Sequence, residues 1–162
     1  MTQSLVTSAF SARQSREATP LTRTPGRLLV SDPDRKWREP VTERLKFLVE
    51  KLEPGWDGYN GRPVSLLNAW FTLRMLEATC GDTAPTPQIV PGSAGDVQIE
   101  WHTATTDIEL HVRAPNDVHA WRGKHGDEAE GEELFLENDF LRVSEWVAEL
   151  AEVLIAPRTA AA

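Results

Sequence analysis

Apolar residues recur at helical spacing in three stretches of the chain and alternate with polar ones in others. Val41, Leu45, Leu48, Val49 and Leu52 stand at i, i+4, i+7, i+8 and i+11, one face of a helix. Pro40 suits the first helical position, and Pro54-Gly55 ends the element. Ser65 is a suitable N-cap for a second helix, Leu66 to Thr79. Its apolar residues Leu66, Leu67, Ala69, Trp70, Leu73, Met75 and Leu76 cover more than half the circumference, which predicts a deeply buried helix stopped at Gly81. A third helix begins at Asn138 or Asp139 and turns Phe140, Val143, Trp146, Val147, Leu150, Val153 and Leu154 inward, with Pro157 as its end.

Between the second and third helices the period is two. Val97, Ile99 and Trp101 alternate with Gln98, Glu100 and His102; Ile108, Leu110 and Val112 alternate with Glu109, His111 and Arg113. That pattern predicts a half-buried antiparallel hairpin. Turns are expected at Gly92–Gly95 and Ala114–Asp117, an edge strand at Ile89-Val90, a further strand at Val118–Trp121 and a brief one at Leu134–Leu136. The expected fold is α+β: two N-terminal helices, a three- to four-stranded antiparallel β-meander, and a C-terminal helix packed on one face.

With Trp101 and Ile108 both facing the core, a hairpin turn centred on Ala104-Thr105 sets the register. It places Glu100 opposite Glu109, His102 opposite Asp107, Gln98 opposite His111 and Asp96 opposite Arg113. Two glutamates directly opposed on one face repel. Water, a basic partner or a metal would relieve this. The metal set is Glu100, Glu109 and His102, and it underlies an alternative reading as a metal-dependent hydrolase. His111 stands about 13 Å further along the strand and cannot join. His119 and His125 belong to no recognisable motif, and no serine or cysteine sits in a nucleophile motif.

The chain has 162 residues, enough for one domain with a real core, and its 40% hydrophobic and 26% charged content is ordinary. No apolar run approaches the ~18 residues of a membrane span, and no signal-peptide pattern opens the chain. A single cysteine, Cys80, excludes an internal disulfide and a multi-cysteine zinc site; a cytoplasmic location fits. Cys80, at the end of the second helix, reads as a core residue. The net charge is −8, unevenly spread: residues 1–38 carry seven Arg or Lys against three Asp or Glu, and the remainder ten against twenty-two. Residues 1–27 read as a disordered basic tail whose Arg13, Arg16, Arg23 and Arg27 are its only route to nucleic acid; 28–156 form one acidic domain with Leu28–Val30 as a short strand or anchor; 157–162 fray. The acidic body serves solubility or suits a basic protein partner.

Gly55-Trp-Asp-Gly-Tyr-Asn-Gly61 joins the first two helices. Its glycines permit positive φ, and Asp57 is placed for an Asx-turn. Read structurally, Trp56 and Tyr59 fold back as a clasp over the helix pair. Read functionally, they are interface anchors. A phosphate loop is disfavoured, since the Lys-Ser/Thr ending is missing and Asp57 repels phosphate. Gly55-Trp-Asp-Gly-Tyr-Asn-Gly-Arg-Pro63, with Pro91…Gly95-Asp-Val-Gln-Ile-Glu-Trp101, resembles the Gly-Trp-Asp-Gly-Tyr-Gly-x-x-Pro loop and Gly-Val-x-Leu-Glu-Trp strand of short bacterial and mobile-element proteins. Asn60 replaces the usual glycine, and Asp96 follows a single glycine. The resemblance spans roughly residues 45 to 113, implies a shared fold core and transfers no catalytic residues. The expected function is a non-catalytic inhibitor or neutralising partner of a basic protein, of antitoxin or phage anti-defence type. It needs no cofactor and uses Trp56, Asp57, Tyr59, Glu100 and Glu109, with Asp127, Glu128 and Glu130 as an auxiliary patch.

Overall fold

The computed structural model describes residues 35–126 and 131–155, the side chains of 153–155 excepted. The expected tail, the Leu28–Val30 segment, the acidic patch Asp127, Glu128 and Glu130, and residues 157–162 lie outside these. The described chain is α+β, with three helices and one five-stranded antiparallel sheet. No helix among the described residues is long and apolar enough to cross a membrane.

Helix α1 spans Arg38–Glu50 and buries Val41, Leu45 and Leu48. Pro40 is its third residue rather than its first. The early position is tolerated because first-turn N–H groups have no intrahelical acceptor. Helix α2 spans Leu66–Thr79; the Ser65 hydroxyl accepts the Asn68 N–H at 3.1 Å, the expected N-cap. It ends at Thr79 as expected, but without a glycine stop. Cys80 turns to extended backbone, and Gly81 takes no left-handed conformation. Trp37, fully buried ahead of α1, donates its indole N–H to the Gly81 carbonyl at 3.1 Å. Helix α3 spans Leu141–Ile155, with the Asp139 carboxylate accepting the Leu141 N–H.

The sheet consists of β1 (Gln88–Pro91), β2 (Val97–His102), β3 (Thr106–Ala114), β4 (Asp117–Lys124) and β5 (Glu132–Leu136), in that spatial order. Five strands replace the expected three or four, because β1 and β5 both join the ladder, and β4 runs longer than Val118–Trp121. Asn116 takes φ of 60° in the β3–β4 turn, a conformation asparagine tolerates. The β2–β3 register is the expected one, with Glu100 opposite Glu109, Gln98 opposite His111 and His102 opposite Asp107. Asp96 does not pair with Arg113. It lies just before β2 and bonds His111, while Arg113 pairs with Asp117.

Ile89, Val97, Ile99, Trp101, Ile108, Leu110, Val112, Val118 and Ala120 face the helices and form one core with Trp37, Leu48, Leu76, Val143 and Trp146. Arg122 is also on this inner face, 7% exposed, bonded to Glu149 of α3 and with its guanidinium 6.0 Å from the Trp146 ring. Among the described residues no helix covers the other sheet face.

Helix α2 corrects the sequence reading. Its buried side is partly polar, with Asn68, Ala69, Thr72, Met75, Leu76 and Thr79, while Leu66, Leu67 and Trp70 are exposed. Two of its three buried polar side chains find acceptors, while the Thr72 hydroxyl has no partner among the described residues. The Asn68 amide donates to the carbonyls of Gly95 (2.9 Å) and Arg113 (3.3 Å), and the Thr79 hydroxyl donates to Met75 O.

Candidate functional site

Strand alternation sends every second residue of β2 to β5 outward, and the register aligns them in rows. The central row reads Gln88, Glu100, Glu109, Trp121 and Glu133, each directly opposite the next on the adjacent strand. One rung to the side lie Gln98, His111, His119 and Phe135; on the other lie His102, Asp107 and Gly123. Three carboxylates thus flank one indole in a single line. Directly opposed side chains have Cβ atoms ~5 Å apart, so the row is a contiguous acidic strip.

Trp121 lies flat along the sheet because two glycines make room for it. A Cβ at Gly123 would stand 2.4 Å from its ring, and one at Gly131 2.5 Å from its indole nitrogen. Gln98, Glu100, Glu109, His111, His119 and Trp121 line a shallow depression of about 110 Å³. The sequence reading placed Trp121 in a strand and gave it no role. Its signal was Trp121-Arg-Gly123, a glycine two residues on and therefore on the same face.

All four histidines of the chain face carboxylates here. His102 sits between Glu100 (Nε2 to Oε2, 3.2 Å) and Asp107 (Nδ1 to Oδ1, 3.1 Å). His125 sits between Asp107 (Nε2 to Oδ2, 2.7 Å) and the Ala104 carbonyl (3.1 Å). Each ring meets an oxygen at both nitrogens, so the doubly protonated imidazolium is best satisfied. The Glu100 and then the Asp107 carboxylate raise the pKa of His102; Asp107 and then the Ala104 carbonyl raise that of His125. Asp107 is held below the usual carboxylate range, first by His125 and then by His102. His111 bonds Asp96, and His119 reaches Glu133 at 2.6 Å while stacking on Phe135. Glu109 is exposed and engages no cation among the described residues.

Glu100, Glu109 and His102 share this face, but both ring nitrogens of His102 are turned to carboxylates. Among the described residues no group of three or more His, Cys, Asp or Glu side chains is arranged to hold a metal ion. Cys80 is buried, and burial pushes its thiol up to about 11. It is not a thiolate near neutrality.

The glycine loop lies elsewhere, in the helix layer between α1 and α2. Gly55 and Gly58 both take φ of 81°. The Asp57 carboxylate accepts the N–H groups of Tyr59 and Gly61, both at 2.9 Å, and these bonds hold its pKa below the ordinary value. Gly55 N–H closes the loop on the Gly61 carbonyl at 2.7 Å. Trp56 is 36% exposed, and its indole N–H donates to the Arg62 carbonyl at 3.1 Å, a bond within the connection itself. Tyr59 does not fold back: it is 86% exposed. The loop residues and the Glu100–Glu109 row, both named as partner-binding candidates, belong to separate layers of the molecule. No protein-family model, curated protein or solved structure matches the chain.

Proposed function

We propose that this chain is a non-catalytic protein-binding module that holds a basic partner against its open sheet face. The observation that carries the reading is the Glu100–Glu109–Trp121–Glu133 row. His102 bonds Glu100 and His119 bonds Glu133, so Glu109 is the carboxylate of the row that a cationic side chain laid across it would pair with. A guanidinium suits the row well, since it pairs with carboxylates and stacks on an indole. The net charge of −8 steers a basic protein toward the chain and contributes mainly to association rate. Occluding the partner's basic surface would make the module an inhibitor or neutralising protein. The resemblance to short mobile-element proteins supports an antitoxin or anti-defence setting in a bacterial cytoplasm.

The test is capture from a host lysate at low and high salt, with wild type beside the Glu100→Lys/Glu109→Lys variant and bound proteins identified by mass spectrometry. The expected result is a stoichiometric basic protein on wild type at low salt, lost at high salt and absent from the variant. Equal retention by the variant would remove the sheet face from the reading. Retention of nothing by wild type would refute the module itself.

A further inference from the structure

Five of the eight large apolar side chains exposed among the described residues lie between positions 56 and 70. Leu66 is 73%, Leu67 61% and Trp70 60% exposed, on the first two turns of α2. Spacings of three and four residues put both leucines beside the tryptophan, as one stripe. Tyr59 projects from the loop that leads into the helix. Such a concentration on one element differs from the scattered apolar residues of an ordinary surface.

We infer that this stripe is the contact surface of a symmetric dimer, its occupant being a second copy of the chain. Area is the first reason. A whole aromatic side chain offers ~200 Å² and a leucine somewhat less, so the four exposed fractions amount to on the order of 500 Å² per copy. A two-fold pairing buries about twice that, near the ~1,000 Å² at which specific interfaces begin. Charge is the second reason. Residues 55–79 hold Asp57, Arg62, Arg74 and Glu77 and are neutral in sum, within a chain of net charge −8. Two copies meet there without the repulsion their acidic surfaces impose, and a strongly charged partner finds nothing to select it. Geometry is the third. An antiparallel crossing centred between Leu67 and Trp70 sets each leucine against the other copy's indole, a self-complementary arrangement.

The experiment is sedimentation velocity and equilibrium on the full chain from about 1 to 200 μM, without any partner added. A reversible monomer–dimer equilibrium in the micromolar range is expected from an interface of this size. Trp70→Glu and, separately, Leu67→Gln should each weaken it at least tenfold while circular dichroism and thermal unfolding of the monomer stay unchanged. The Glu100→Lys/Glu109→Lys variant should dimerise as wild type does. A monomer at every concentration, or a dimer that both stripe variants leave intact, overturns the inference.

Discussion

Replacing Asn68 by alanine removes the amide that joins α2 to the β1–β2 turn and to the end of β3. Asn68 is 6% exposed, and its Nδ2 donates to Gly95 O at 2.9 Å and Arg113 O at 3.3 Å. A net ~1 kcal/mol for the shorter bond and about half that for the longer, with a penalty for the Arg113 carbonyl while Gly95 keeps the Ser65 N–H, gives a loss of ~1.5–3 kcal/mol. With ~2 cal/mol/K of unfolding entropy per residue over roughly 120 residues, Tm should fall by ~6–12 °C. Asn68→Asp keeps the shape but sets a carboxylate against two carbonyl oxygens. It should be worse than alanine at pH 7 and recover as the pH falls and the acid gains a proton it can donate. Thermal and urea unfolding of the three proteins between pH 4 and 8 reads this ordering. If Asn68→Asp matches wild type at pH 7, or alanine costs under ~0.5 kcal/mol, the amide is merely filling space and the reasoning fails.

Two further outcomes are expected. His102 and His125 should titrate above the ordinary imidazole value of ~6.5 by NMR, since carboxylates raise both. Their contribution to stability is therefore fully present below the unfolded value and lost as pH rises through the folded values. Asp107→Asn should lower His125 more than His102, whose first partner is Glu100; an unchanged His125 would refute the pairing. At the inner face, Glu149→Ala leaves the buried Arg122 guanidinium without its carboxylate and should cost ~1–3 kcal/mol, whereas Arg122→Met removes the charge with the cost and should stay within ~1 kcal/mol of wild type. Urea denaturation that finds Arg122→Met the more damaging change would reverse that account.

The register of the central hairpin was legible because strand period is two: once Trp101 and Ile108 face inward, no one-residue slip is allowed. The bounds of α2 were legible from Ser65 as its cap and the loss of helical spacing after Thr79. The exposure of α2 was not. Counting apolar residues around a helix does not say which side the sheet meets, and Asn68 and Thr79 enter the core only because distant or local carbonyls accept their protons. β1 and β5 were visible as short runs, but their membership of the sheet depends on neighbours a local pattern does not contain. Of the site, Glu100 and Glu109 were read correctly as opposed, while Trp121 was missed because its alignment with them arises across strands. Tyr59 was grouped with Trp56 on composition; an indole N–H that reaches the Arg62 carbonyl separates the two.

The β1–β2 turn accepts bonds through three successive carbonyls: Ser93 from the Arg62 N–H, Ala94 from the Arg62 guanidinium, and Gly95 from the Ser65 N–H and the Asn68 amide. A hairpin turn is ordinarily where a chain tolerates insertion or a new pair of termini. Here the turn is the rivet between two layers, and opening it releases the start of α2 as well as the strands. Helix layer and sheet should therefore exchange their amide hydrogens as one cooperative unit, leaving the turn at Pro115-Asn116 as the better place to cut or extend this protein.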